Sequence, residues 1–230
     1  MPNHITNVIE MSGSLSDLND LINEFGTHVD AELRRTYDNQ LICDNKDNGR
    51  FCWFNLETGI ATDRQGMNSV GLPVGYAPEI KQSFFMFPDF RKVIPPPDDP
   101  AYDDKPDQKT AQNSPNWWHT WNVKNWGTKW GGYSYERLAI NKFQFETAWS
   151  PSPIIIDTIS KKYPKVEIVY SWADEDFGYN VGTQKYLNGL ISEEIPDGGS
   201  NEAYELAFSV CPERREQYII SEKGSYKYKE

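Results

Sequence analysis

Residues 115–150 read PNWWHTWNVKNWGTKWGGYSYERLAINKFQFETAWS, and this stretch decides the fold. It holds six of the eight tryptophans: Trp117, Trp118, Trp121, Trp126, Trp130 and Trp149. Each can bury on the order of 150–250 Å², so a core or a binding surface must form here. Trp117 and Trp121 are four residues apart, as are Trp126 and Trp130, and that spacing places each pair on one helical face. Pro115 suits a first helical turn, Asn113 or Ser114 can cap it, and Gly127 offers a left-handed stop. Beyond it, Phe143, Phe145, Thr147 and Trp149 alternate with smaller or polar residues, the period of a half-buried strand. The tryptophans are therefore expected in the core, with a stacking surface for bases or sugars as the alternative.

Working outward, Asn3 to Met11 reads as a strand. Ser14 or Ser16 then caps a helix whose Leu15, Leu18, Leu21, Ile22 and Phe25 form one stripe, ended by Gly26. On the other side, Ser150-Pro151-Ser152-Pro153 opens a helix with Ile155, Ile156 and Ile159 buried, stopped at Tyr163-Pro164. Val166 to Trp172 is a strand. Gly178 to Leu187 and Leu190 to Ile195 form a hairpin about Asn188-Gly189, a strong two-residue turn signal. This half reads β-α-β-β-β, with the crossover helix on one sheet face. A last helix is expected over Glu202 to Cys211, and a frayed strand or disordered tail over Ser221 to Glu230.

Residues 27–82 read as an insertion. Ala31 to Tyr37 suggests a short helix, Phe51 to Phe54 a buried strand, and Gly66 to Pro78 a loop. Asp44 to Gly49 looks like a calcium loop, but Asn55 stands where the bidentate acid belongs, so a polar turn is expected. Phe84, Phe85, Phe87 and Phe90 point to core again. Residues 95–112 form a Pro/Asp linker whose Asp98, Asp99, Asp103 and Asp104 should be exposed.

The segments NWGTKW (Asn125 to Trp130) and FETAWSPSP (Phe145 to Pro153) resemble the YubB-type ferredoxin-like family of phages and plasmids. Members often begin Met-Pro-Asn-Trp-Cys-x-Asn, and this chain begins Met1-Pro2-Asn3-His4-Ile5-Thr6-Asn7. Ile94-Pro95-Pro96-Pro97 and Tyr163-Pro164 also fit. His4-Ile5 departs from the usual Trp-Cys, and Gly131 stands where an acid is common. The resemblance implies a fold and supplies no catalytic residue. The expected architecture is α+β: a ferredoxin-like sheet with helices on one face, made by residues 1–26 and 83–195, with an inserted subdomain (27–82) and a C-terminal helix and tail (196–230).

The net charge of −11 is uneven: residues 1–115 carry 10 basic and 18 acidic groups, residues 116–230 carry 13 and 16. Such a surface repels phosphates and suits a basic partner. No apolar run of about 18 residues and no basic-then-apolar leader occur, so neither a membrane span nor secretion is expected. Three cysteines without CxxC spacing fit free thiols in a reducing cytoplasm. His4, His28 and His119 have no ligand spacing, so no metal is expected, and no cofactor fingerprint occurs.

Lys129 between Trp126 and Trp130 is the candidate for a cation–π or ligand contact, with a snorkelling surface lysine as the plain alternative. Asp174, Glu175 and Asp176 suggest acid–base work or a solvated corner. The leading expectation is a non-enzymatic mobile-element protein that binds a host protein or complex with a basic surface, in the manner of a counter-defence inhibitor. It would use Asp98, Asp99, Asp103 and Asp104. Direct nucleic-acid binding is not expected. A nucleic-acid or nucleotide module built on an exposed Trp and Lys129, and an enzyme with a carboxylate site, stand as alternatives.

Overall fold

Two crossovers build the centre of the protein, seen in a computed structural model that describes residues 3–35, 41–45, 50–54, 61–63, 80–102, 112–222 and 224–229. In the first, strand β1 (His4–Ser12) leads into helix α1 (Leu15–Phe25). The chain re-enters the central sheet, after the insertion, at β7 (Tyr133–Ala139). In the second, β8 (Lys142–Ala148) leads through helix α4 (Pro153–Lys162) into β9 (Glu167–Asp174). β1 lies between β8 and β9, antiparallel to both, and β7 pairs with the outer side of β8. The fold is α+β and ferredoxin-like, with the spatial order β9-β1-β8-β7 at its centre.

Alternation along β1 sorts the two faces. Ile5, Ile9 and Met11 meet Leu21, Ile22 and Phe25 of α1 and Ile155, Ile156 and Ile159 of α4, together with Phe143, Phe145, Ile168 and Tyr170. Val8 points the other way, into a smaller cluster with Ala173, Phe177 and Ala203, Ala207 and Val210 of helix α5 (Asn201–Val210). The crossover helices thus share one face, and the C-terminal helix covers part of the second. Beyond β9 the sheet continues through β10 (Gly182–Tyr186) and β11 (Leu190–Glu194). Their turn has φ of 55° at Asn188 and 101° at Gly189, the doubly left-handed form that Asn-Gly favours.

The inserted strands are β2 (Thr27–Arg35), β3 (Leu41–Asn45), β4 (Arg50–Phe54), β5 (Ala61–Asp63) and β6 (Ile80–Met86). They extend the sheet past β7 in the order β5-β4-β3-β2-β6, and Ala61 opposite Tyr135 makes the junction. The short helix expected over Ala31 to Tyr37 is overturned. Residues 31–35 lie in β2, paired with β6 from Thr27–Met86 to Leu33–Ile80. AELRR is made of good helix formers, but five residues are too few for propensity to decide, and the segment yields to a ladder of backbone hydrogen bonds with β6. Phe51 to Phe54 is a strand, as read. The polar turn at 46–49, the loop at 66–78 and Asp103, Asp104 and Asp107 of the linker lie outside the described residues.

After β6 comes a single turn, α2 (Phe90–Val93), and then helix α3 (Trp118–Trp126). Gly127 ends α3 with φ of 79°. Trp130 therefore lies beyond the helix, and the helical pairing of Trp126 with Trp130 does not form. Gly26 is required for another reason: a Cβ there would stand 2.0 Å from Cζ of Phe85 and 2.6 Å from the Ile22 carbonyl. After α5, a 3-10 turn (Pro212–Gln217) leads to a small hairpin of β12 (Tyr218–Ile220) and β13 (Tyr226–Tyr228).

Helices α1 and α4 are also joined through Glu24. It accepts hydrogen bonds from Lys162 and from Tyr163 Oη, the latter at 2.6 Å. Those bonds, the lysine's first, hold its carboxyl below the ordinary range. A carboxyl lowered on folding contributes stability above its unfolded value, and loses it as pH falls through the folded value. Glu24→Gln should therefore cost about 0.5 kcal/mol at pH 7, the scale of a solvent-facing pair. Its denaturation midpoint should converge on the parent's as pH drops below about 4. A gap of constant size from pH 7 to pH 3 would refute the assignment.

Candidate functional site

The second face of the sheet is only partly roofed. Ala203 and Ala207 let α5 sit close over Val8 and Ala173, and the helix stops at Val210 before the turn that Pro212 opens. An open cleft of about 670 Å³ is left between that turn and the exposed ends of β1, β7, β8 and β9. His4, Glu136, Glu146, Asp174, Glu175 and Glu213 line it, with Lys142 and Arg214. On β8, Gln144 and Glu146 occupy the positions that alternate with buried Phe143 and Phe145, so the pleat that fills the core also arms the cleft.

His4, at the start of β1, reaches across β8 to Tyr133 at the start of β7. Its Nδ1 is 2.7 Å from Tyr133 Oη and 3.7 Å from Glu146 Oε2, and the Ser134 hydroxyl donates to the same Glu146 oxygen at 2.9 Å. Asp174 is 7% exposed, which corrects the expectation of a solvated corner at this residue. Its Oδ1 accepts from Asn3 Nδ2 at 3.2 Å and from the Asp176 amide at 2.9 Å, and its Oδ2 from Asn180 Nδ2 at 2.8 Å. Three donors make Asp174 the anchor of the turn after β9. Glu175 and Asp176 beside it are exposed.

The cations at the cleft are already engaged. Lys142 Nζ is 3.1 Å from Glu10, and Arg214 donates to the Glu175 carbonyl at 3.2 Å while its guanidinium lies over Phe177. Among the described residues the carboxylates of Glu136, Glu175 and Glu213 make no hydrogen bond or ion pair. The cleft therefore presents net negative charge. Cys211 forms part of its wall, and burial pushes its thiol up, against a smaller lowering by its hydrogen bond with Thr6. A thiol raised in this way is a poor nucleophile. Among the described residues no group of three or more His, Cys, Asp or Glu is placed to hold a metal ion.

Of the residues singled out from sequence, Asp174 and Glu175 line the cleft, while the tryptophans, Lys129 and the described aspartates of the linker lie elsewhere. Trp126 is 2% exposed, with Nε1 donating to the Ile94 carbonyl at 3.0 Å and its ring edge-on to Phe90 and Trp121, so it is a core residue. Lys129 Nζ is 4.9 Å from the centroid of Trp130 and 4.5 Å from that of Trp149. Trp149, expected to face inward with Phe143 and Phe145, is instead 49% exposed. Its φ of 68° turns it out of the strand. Asp98 is exposed. Asp99 accepts from the Ala101 amide and from Asn116 Nδ2, both at 2.8 Å, and those bonds, Asn116's first, hold its carboxyl low. It fastens the linker to the start of the α3 region.

The cleft unites His4 with Glu136, Glu146 and Asp174, each more than 100 residues away in the chain, and no sequence spacing announces such a set. Its sequence signals are the Asp174-Glu175-Asp176 run and the polar residues that alternate with Phe143 and Phe145.

A family model described as a ferredoxin-like domain in Api92-like protein matches residues 125–211, from the end of α3 to the residue after α5. That match agrees with the sheet topology and supports a ferredoxin-like family. Comparisons with curated proteins and with solved structures gave no match. Among the described residues, no helix is long and apolar enough to cross a membrane.

Proposed function

We propose that the chain is a non-enzymatic accessory protein of a phage or plasmid that binds a basic surface of a host protein or complex. In this reading it blocks a host defence, as anti-CRISPR-like inhibitors do, and works in the host cytoplasm. The observation that carries the docking step is the cleft, where Glu136, Glu175 and Glu213 are left without partners while its lysine and arginine are engaged. The net charge of −11 acts in the same direction, because it steers basic partners inward and repels polyanions. The mobile-element setting rests on the resemblance of NWGTKW and FETAWSPSP to YubB-type proteins.

The test is a triple variant, Glu136→Gln, Glu175→Gln and Glu213→Gln, compared with the parent in affinity capture from host lysate at two salt concentrations. The parent should retain a stoichiometric basic partner that elutes as salt rises, since the Debye length is about 8 Å at physiological ionic strength. The variant should lose it at unchanged melting temperature. Equal retention of that partner by both proteins would refute docking through the cleft.

A further inference from the structure

A second cluster, sharing no residue with the cleft, surrounds Lys129. Two contacts fix its frame. Thr128 Oγ1, 1% exposed at the residue level, donates to the Ala148 carbonyl at 2.8 Å, so the loop after α3 is tied to the end of β8. Asn122 Nδ2, from a residue equally buried, donates to the Lys129 carbonyl at 3.0 Å. One residue past Ala148, Trp149 takes a left-handed backbone whose N–H donates to the Asn3 carbonyl at 2.9 Å. That conformation is strained for a bulky side chain and costs least in glycine or asparagine. Here it carries an indole into solvent.

The Lys129 ammonium lies against two indoles and, among the described residues, has no carboxylate within 4 Å. In a chain of net charge −11, a cation that no described carboxylate neutralises is suited to meet an external anion. An ammonium carries three N–H donors, and as a compact point charge it suits a phosphate. With Lys129 over one face of Trp149 and the residue 49% exposed, the indole keeps open surface for a planar group.

We infer that Trp149 and Lys129 form a preorganised site for a nucleobase carrying a phosphate, the base stacking on Trp149 and the phosphate meeting Lys129. One cation in an acidic chain holds one phosphate against little repulsion, whereas a polyanion meets the field of the whole protein. A free nucleotide is therefore the favoured source over a strand.

The experiment is calorimetric titration of the full chain at low salt with adenosine monophosphate, ribose 5-phosphate and a ten-residue oligodeoxyadenylate. Adenosine monophosphate should bind at least about fivefold more tightly than ribose 5-phosphate, the low end for one stacked base. Trp149→Ala and Lys129→Gln should each weaken it by a similar factor, and Trp149→Phe should restore most of the Trp149→Ala loss. Weaker oligomer binding per nucleotide supports the free nucleotide as ligand. Tighter oligomer binding, with the same two variants sensitive, supports the same chemistry on a strand. Equal binding of ribose 5-phosphate, an unaffected Trp149→Ala, or no heat at millimolar nucleotide would overturn the site. None of these failures touches the acidic cleft.

Discussion

Trp126→Ala should destabilise the protein by about 3–5 kcal/mol, the cost of emptying a large buried aromatic site. The loss has three parts that the structure identifies. The ring's edge contacts with Phe90 and Trp121 disappear, a cavity opens at the α2–α3 junction, and the Ile94 carbonyl loses its indole donor. Trp149→Ala should cost about 0.5 kcal/mol, because the residue is already half exposed to water and its contact with Lys129 is a surface-type cation–π contact. Urea unfolding measures both, with equal slopes required before midpoints are compared. Similar shifts for the two variants would mean that the burial difference between them is wrong.

The contrast between these tryptophans shows what the sequence could carry. Local periodicity was enough for α1, with its Ser14 cap on the Asp17 amide, for the isoleucine stripe of α4 and for the Asn188-Gly189 turn. Each of those signals is settled within a few residues. Trp149 continued the alternation of Phe143 and Phe145, and one left-handed residue then reversed its direction. No period encodes a single backbone torsion. Trp130 lies off the helical face for a related reason, since Gly127 ends the helix that would have aligned it with Trp126. The AELRR segment followed its partner strand β6, some 50 residues away, in place of its own helical preference. The cleft was the least legible feature, because its charges are the by-product of four strands brought side by side.

The centre of the fold holds the second large effect. Asn7 is wholly buried in β1, and its side-chain amide donates to the Ile5 carbonyl at 2.8 Å, to Thr147 Oγ1 at 3.0 Å and to the Phe145 carbonyl at 3.3 Å. Two N–H groups serve three acceptors, so one bond is shared. The Asn7 oxygen accepts from Tyr170 Oη at 2.6 Å, and Tyr170 Oη in turn accepts from the Ser152 amide at 2.8 Å. Thr147 donates on to the Ser150 carbonyl at 2.7 Å, and Ser152 Oγ to the Trp126 carbonyl. A single polar chain thus joins β1, β8 and β9 to the first turn of α4 and the last of α3, inside an otherwise apolar core. Asn7→Ala should cost about 3–5 kcal/mol, because it strands several buried partners at 1–3 kcal/mol each while their neighbours relax. Tyr170→Phe should cost about 2 kcal/mol, leaving the Asn7 oxygen and the Ser152 amide unpaired. Both changes break one network, so the double variant should fall short of the sum by about 1 kcal/mol or more. Additivity within about 0.3 kcal/mol would show that the two residues act separately, and that the polar chain does not hold the sheet to its helices.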